Sequence, residues 1–306
     1  MIHIACNIDA NFMQHCAVTL VSLFENNKSA NICVHIVAPF LSEENQQLLH
    51  DLAAPYGNEI RFYFPPEDLL ICFTIQKFSK RISMATYYRC MFSAILPSDV
   101  EKVLYLDCDI VVLGDISVFW NTDLSGIGAA CIEDIGKDED ERYGRLHYDR
   151  SYSYFNAGVL LINLDYWRKH KVDEQCVEYF RKYPERIHFN DQDLLNVVLC
   201  EDKVFVPLKW NMQDGFYRYG IDKKVADWDA FREELLHPVI LHYTNKKPWN
   251  YDSMHPLRNE YYKYLDMTPW KGQRPLSSLK NRVQWYMKRL PYILGFRKPK
   301  YVGLGG

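Results

Sequence analysis

The sequence contains no Cys-x-x-Cys pair, and its nine cysteines are an odd number. Both facts argue against a disulfide framework and against a structural zinc site built on paired cysteines. Several cysteines sit inside apolar runs, such as Cys33 and Cys131, where a free thiol behaves as a small buried hydrophobe. A reducing, cytoplasmic setting is therefore expected. No apolar run approaches the ~18 to 20 residues that cross a bilayer. The opening Met1-Ile-His-Ile-Ala-Cys6 lacks the basic start and long apolar stretch of a signal peptide. There is no internal repeat, no Gly/Ser linker and no excess of glycine or proline, with 14 of each, which excludes fibrous and low-complexity chains. The formal net charge of −3 excludes a nucleic-acid binder by bulk charge. That total hides one further absence. Lys271 to Gly306 holds nine Lys or Arg and no Asp or Glu, so a body of −12 precedes a tail of +9.

What is present in the 306 residues is a large, regularly alternating body. Ile2–Cys6 has the pattern of a buried strand, and Met13, Cys16, Ala17, Leu20 and Phe24 then recur at helical spacing. Asn31–Ala38 is a second strand, and Ser42 is the N-cap of a helix that turns Leu48, Leu49 and Leu52 inward. Glu59–Phe64 is a third strand, Ser83–Ala94 a helix and Lys102–Leu106 a fourth strand. This order predicts an α/β fold with a mainly parallel sheet covered on both faces. Further on, Gly128–Ile132, Gly158–Asn163 and Val239–His242 are expected strands, and Gln175–Arg181 and Gln192–Leu199 expected helices. Asp134 to Ser153 is polar and is expected to form a loop over the site.

The strongest local signal is Val103-Leu-Tyr-Leu-Asp107-Cys108-Asp109-Ile-Val-Val-Leu113. Two acids one residue apart, framed by apolar segments, fall at the carboxyl end of a strand, where open α/β sheets gather ligands. Such a pair is costly without a cation. Hard oxygen ligands suit Mg²⁺ or Mn²⁺, which share their shell with substrate phosphates. A bare pair of acids is also an ordinary solvated strand end, so the rest of the chain must decide. Asp9 and Asn11 follow the first strand and have the hydrogen-bonding groups to meet a base and a ribose, with Phe12 able to stack; ordinary turn chemistry is the other reading. Asn156 places an amide before a buried strand, and Asp191 beside Gln192 at a helix start suits sugar hydroxyls. His242 ends the late strand and is followed by Lys246 and Lys247, which can face phosphate. Two enzyme readings compete at this stage. The Asp107-x-Asp109 pair is compatible with a haloacid-dehalogenase-type phosphatase, whose first Asp is a nucleophile. It is equally compatible with a nucleotide-sugar glycosyltransferase. Three strands precede the motif and no later Gly-Asp-x-x-x-Asp site follows it, which disfavours the phosphatase.

Taken in order, Asp9-x-Asn11-Phe12, Thr86-Tyr-Tyr-Arg89, Leu104-Tyr-Leu-Asp107-Cys-Asp109, Phe155-Asn-Ala-Gly-Val-Leu-Leu-Ile-Asn163, Asn190-Asp-Gln-Asp193 and His242-Tyr…Lys247-Pro-Trp249 resemble glycosyltransferase family 8. These are the retaining GT-A enzymes that include bacterial lipopolysaccharide and lipooligosaccharide hexosyltransferases. The likeness runs from about Ile2 to Trp249 and is nearest the α-galactosyltransferase and α-glucosyltransferase branch. It implies a GT-A domain, and the composition shift at Pro269–Pro275 sets that domain at residues 1–268 and a basic aromatic tail at 269–306. It implies Mn²⁺, with Mg²⁺ as a substitute, held by Asp107, Asp109 and His242 against the phosphates of a UDP-hexose. Asp9 would read the uracil, Asn11 the ribose and Phe12 the base face, with Asn7 and Ile8 lining that end. Arg89 and Lys247 would hold the donor, and Cys108, Ala157, Thr244 and Asn245 would line it. Asn156, Asp191 and Gln192 would surround the hexose, and Asp191 and Gln192 are the catalytic candidates. The acceptor implied is a glycan or glycolipid hydroxyl. The sequence departs from the pattern in having Asn245 where a Gly is frequent and Phe12 where a Tyr is frequent.

The alternatives are a non-catalytic relative that binds nucleotide sugars or glycans, and the phosphatase above. The tail interleaves Lys280, Arg282, Lys288, Arg289 and Lys300 with Trp285, Tyr286, Leu290, Tyr292 and Phe296. That composition suits an anionic membrane surface, here the inner face of the cell membrane, and suits equally a segment packed on the acidic body or a disordered one.

Overall fold

The computed structural model describes residues 1–74, 83–135, 139–221, 227–275 and 278–302. The strands are β1 (Ile2–Asn7), β2 (Ile32–Val37), β3 (Glu59–Tyr63), β4 (Lys102–Leu106), β5 (Ile110–Val112), β6 (Ala129–Glu133), β7 (Phe155–Asn163), β8 (Lys203–Phe205), β9 (Met212–Gln213) and β10 (Ile240–His242). The helices are α1 (Met13–Asn26), α2 (Glu43–Ala53), α3 (Phe92–Ile95), α4 (Ser117–Trp120), α5 (Glu139–Leu146), α6 (Leu164–His170), α7 (Val172–Lys182), α8 (Asp191–Val198), α9 (Trp228–Leu236), α10 (Arg258–Leu265) and α11 (Leu279–Ile293).

Seven strands form the central sheet in the order β3-β2-β1-β4-β7-β6-β8. The pairs β3–β2, β2–β1, β1–β4 and β6–β8 are parallel, and only β7 runs against its neighbours β4 and β6. The sheet is mainly parallel, as the alternating sequence predicts. Successive residues of a strand face opposite sides. Ile4, Leu104, Leu106 and Leu161 therefore pack with Cys16, Leu20 and Phe24 of α1 and Leu49 of α2. Ala5, Val103, Tyr105, Leu160 and Ile162 pack with Trp167, Cys176 and Leu194 of α6, α7 and α8. Ser42 caps α2, accepting from the Asn45 N–H at 3.3 Å. All nine cysteines are free, seven of them buried, as the missing disulfide framework requires.

Two features differ from the sequence expectations. The expected helix over Ser83–Ala94 is a 3₁₀ segment, Met84–Met91, followed by the short α3. It is buried almost all round, so it has no single apolar face to select an α-helix. At about three residues per turn, side chains three apart line up, and Thr86 and Arg89 come onto one row. The expected loop from Asp134 to Ser153 contains α5, with residues 136–138 outside the described set. Arg142 of α5 ties back to Asp134 at 3.1 Å and lies over the Tyr154 ring at 4.0 Å, which anchors the helix.

A second, three-stranded sheet in the order β5-β10-β9 stands beside the first. Asp107-Cys108-Asp109 is the corner between β4 of the large sheet and β5 of the small one. The β6–β7 register jumps from Cys131↔Leu160 to Ile132↔Asn156, leaving Ala157–Val159 bulged from β6. Bulges re-aim a strand next to active sites, and this one swings Gly158 onto the corner, where its carbonyl accepts from the Asp107 N–H at 2.9 Å.

In the tail, α11 starts at Ser278, whose hydroxyl accepts from the Asn281 N–H at 3.2 Å. Residues 276–277 and 303–306 lie outside the described set. Beyond α11 the chain returns to the body. Tyr301 pairs with Arg218 as an antiparallel bridge, and its hydroxyl donates to buried Asp214 at 2.7 Å. Among the described residues no helix is long and apolar enough to cross a membrane.

Candidate active site

The two sheets bring together three ligand-type side chains from distant parts of the chain. β10 pairs antiparallel with β5, setting His242 opposite Ile110, and the Tyr243 N–H donates to the Asp109 carbonyl at 3.0 Å. His242 Nε2 lies 3.1 Å from Asp109 Oδ1 and 3.8 Å from Asp107 Oδ2. One ligand atom from each of Asp107, Asp109 and His242 falls within 4.8 Å of the others. The imidazole is oriented from behind. His242 Nδ1 donates to Asn211 Oδ1 at 2.9 Å, which turns Nε2 toward the two acids. Gly158 completes the cradle. A Cβ there would stand 2.2 Å from His242 Cε1 and 2.7 Å from Asp107 Oδ2. Two hard oxygens and one imidazole nitrogen are a fitting set for a divalent cation such as Mn²⁺ or Mg²⁺.

Two cations of the chain already face this cluster. The Lys247 ammonium contacts Asp109 and donates to the Tyr243 carbonyl at 2.6 Å. Burial pushes the Asp109 carboxyl up, but Lys247 and His242 outweigh it and hold it well below the usual carboxylate range. Arg89 is the other cation, buried and laid over the Tyr105 ring at 4.3 Å. It donates to Asp107 Oδ1 at 2.7 Å, to the Ala157 carbonyl at 2.7 Å and to Asp191 at 3.0 Å. Thr86, on the same row of the 3₁₀ segment, donates to Asp191 at 2.5 Å. Burial pushes the Asp191 carboxyl up to about 6, against the pull of Arg89 and Thr86.

Next to this lies an amide network. Gln192 accepts from the Ala157 N–H at 3.0 Å and from Asn156 at 3.2 Å, and it faces Asp134 at 3.4 Å. Asn156 also donates to Asp134 at 3.1 Å and accepts from Gly158 N–H at 3.1 Å and Asn211 at 3.0 Å. Its amide is therefore a hub that fixes Gln192 and Asn211. On the other side, Asp9 accepts from the Asn11 N–H at 2.9 Å, capping the short turn after β1. Asn11 is exposed, Ile8 is buried and Phe12 is half-buried. Phe12 meets His15 edge-on at 5.6 Å, and His15 stacks on Trp249 at 3.6 Å, forming an aromatic wall. Both amide atoms of Asn7 are buried without a partner, which suits a contact to a ligand that supplies one. The Cys108 thiol faces the Asn7 carbonyl at 3.8 Å. Thr244 is half-buried and Asn245 exposed on the loop between His242 and Lys247.

Three participants were not singled out from the sequence. Asn211 orients His242, Tyr105 donates to Asp107 at 2.5 Å, and Asp134 holds Gln192 and Asn156. Tyr105 had a signal, since alternation along β4 aims it at the same side as Asp107. Asn211 had none, lying in an irregular stretch before a two-residue strand.

A mainly parallel sheet with helices on both faces and a metal-type cluster at its carboxyl edge defines a GT-A fold, and the architecture matches a crystal structure of the galactosyltransferase LgtC in complex with donor and acceptor sugar analogues, with a TM-score of 0.76, 24% identity, and 88% of this chain and 96% of that one covered. The chain belongs to glycosyl transferase family 8, whose model matches residues 3–253. Relatives include the lipopolysaccharide 1,2-glucosyltransferase of Escherichia coli (strain K12), 26% identical with 96% of this chain and 88% of the relative covered. The lipopolysaccharide 1,3-galactosyltransferase of Salmonella typhimurium is 28% identical with 88% and 79% covered. General stress protein A of Bacillus subtilis is 26% identical with 88% and 95% covered. The protein is a glycosyltransferase; the phosphatase and the non-catalytic binding module are not favoured.

Proposed function

We propose that this enzyme transfers galactose or glucose, with retention at the anomeric carbon, from a UDP-sugar to a hydroxyl of a glycan or glycolipid, in the synthesis of a bacterial surface polysaccharide or lipopolysaccharide. The observation that carries this reading is the convergence of Asp107, Asp109 and His242 beside Lys247. Asp107, Asp109 and His242 would hold Mn²⁺, with Mg²⁺ as a substitute, and the metal would neutralise charge on the departing diphosphate. The remaining work falls to the chain itself. Lys247, which contacts Asp109, would turn to the diphosphate, where its charge would stabilise the transition state more than the ground state. Asp9, Asn11 and Phe12 would take the uridine, and the unpaired Asn7 amide lines the same end.

Double displacement needs a free carboxylate at the anomeric carbon. Asp191 is a poor candidate, because both its oxygens are engaged by Arg89 and Thr86 and its carboxyl is pushed up to about 6. Gln192 is an amide and a weak nucleophile. Front-face attack is favoured, with the leaving phosphate oxygen taking the acceptor proton and Gln192 and Asp191 anchoring the hexose.

A panel of UDP-sugars tested with Mn²⁺ and no acceptor is the decisive measurement. Slow hydrolysis of one UDP-hexose, lost in Asp107→Ala and Asp109→Ala, is expected. Donor turnover that is equal in Asp109→Ala and the wild type would overturn the assignment.

A second reading concerns the tail. Leu279, Val283, Tyr286, Met287, Leu290, Ile293 and Leu294 of α11 and the residue after it recur at helical spacing, and all are exposed. Exposed Lys280, Arg282 and Lys288 flank this stripe. We read α11 as a peripheral contact with an anionic inner membrane face, where each cation contributes roughly 1 kcal/mol. The docked Tyr301 supports the other half of the expectation, that part of the tail packs on the body. Removing residues 271–306 should abolish cosedimentation with anionic vesicles; unchanged cosedimentation would refute the reading.

A further inference from the structure

The first two strands carry a second cluster of ligand-type side chains at the end of the sheet opposite the site above. β1 and β2 pair in parallel with His3 opposite Cys33 and Ala5 opposite His35. Alternation puts His3, Cys33 and His35 on one face of the sheet. His3 Nδ1 lies 2.9 Å from His35 Nε2, and the Cys33 thiol completes a set whose ligand atoms all fall within 4.8 Å of one another. Cys33 and His35 are fully buried and His3 is half-buried. The two imidazoles are tilted by 30° at 5.2 Å, so their nitrogens, not their faces, meet.

We propose that His3, Cys33 and His35 form a second metal site, which takes Zn²⁺ through two imidazoles and one thiolate, with water in the fourth position. This donor set differs in kind from Asp107, Asp109 and His242. Two nitrogens and a sulfur select zinc or another thiophilic ion over Mn²⁺ and Mg²⁺. The outer nitrogen of His35 is already oriented. His35 Nδ1 is 2.9 Å from the Tyr63 hydroxyl, the partner that fixes a ligating imidazole with its other nitrogen turned to the metal. Zn²⁺ uptake breaks the Cys33 S–H bond, forms the Zn–S bond and releases that proton to solvent. The ligands need no Cys-x-x-Cys spacing because strand pairing, not a knuckle, brings them together. His3 precedes Asn7 by four residues, roughly 13 Å at ~3.3 Å per residue. The site therefore fastens β1 to β2 and stands apart from the transfer chemistry.

Co²⁺ is the probe, since thiolate ligation gives an intense near-ultraviolet charge-transfer band that oxygen and nitrogen ligands do not. The metal-stripped full chain should take up two equivalents of Co²⁺ and show this band, and added Zn²⁺ should displace it. Cys33→Ser should lose the band and one equivalent while keeping its metal-dependent donor turnover. Asp109→Asn should keep the band and lose the other equivalent. His3→Gln, a milder change at the half-buried position, should weaken the band-forming uptake at least tenfold. Absence of the band in the wild type would overturn the proposal, leaving an imidazole–imidazole hydrogen bond. A band that survives in Cys33→Ser would overturn it too, by assigning the sulfur to another cysteine.

Discussion

Asn211 accepts from His242 Nδ1 at 2.9 Å and donates to Asn156 Oδ1 at 3.0 Å. One buried amide thus links the imidazole of the metal-type cluster to the hub that fixes Gln192. Partners of this kind set the tautomer of a ligating histidine, and losing one typically costs about 10- to 100-fold in metal affinity or activity. Asn211→Leu keeps the volume and removes both hydrogen bonds. The metal concentration giving half-maximal rate should rise by about tenfold or more. The rate at saturating metal should fall less. An unchanged metal dependence would show that His242 is held by packing alone.

Gly158 tests the cradle from the other side. Its backbone has no unusual dihedral, so alanine is excluded there only by space. The added Cβ would overlap the His242 ring and crowd Asp107. Overpacking of this kind costs about 1–3 kcal/mol, which the fold can absorb. A displacement of about 1 Å at reacting groups can cost on the order of 100-fold in rate. Gly158→Ala should therefore remain folded by circular dichroism and lose at least that much turnover. A variant with near-normal turnover would mean that His242 and Asp107 are not needed where the structure puts them.

Gln192 separates binding from catalysis. Its side chain is fixed by the Ala157 N–H, Asn156 and Asp134. On the front-face reading it meets the hexose as charge develops and leaves the uridine alone. Gln192→Ala should lower kcat by more than it weakens UDP binding measured by calorimetry. Equal losses in the two would assign it to donor binding only.

How much of this was legible in the sequence follows from how far apart the partners are. The alternation of strands and helices is local, and it predicted the parallel core of β1 to β4 and the acids at its edge. His242 came from a motif, because family resemblance carries long-range pairing that periodicity does not. Asn211 and Asp134 carried no signal. They reach the site through a two-residue strand, β9, and through the end of β6, and neither has a pattern of its own. The 3₁₀ form of Met84–Met91 was hidden for another reason. Its residues have helical composition, and only burial on nearly every side makes the tighter turn acceptable. The same turn aligns Thr86 and Arg89 on Asp191, so the mismatch between sequence and structure falls beside the candidate site.

A last prediction concerns stability and pH away from the site. Asp173 on α7 is buried, and burial pushes its carboxyl up to about 6, even though it accepts from the Ser93 hydroxyl and from the Ala94 N–H at 2.9 Å. The unfolded chain titrates this group near the ordinary aspartate value of about 4. Between those values the folded protein binds more protons than the unfolded one, so this group makes stability fall as pH rises from about 4 to 6. Above that window its cost is fully present, at roughly 3 kcal/mol as an upper bound from about 1.36 kcal/mol per pH unit. Asp173→Asn keeps an acceptor for Ala94 and removes the titration. The difference in urea midpoint between variant and wild type should grow in favour of the variant from pH 4.5 to pH 7.5. A constant difference across that range would show that Asp173 is ionised in the fold throughout, held by Ser93 and Ala94 strongly enough to offset its burial.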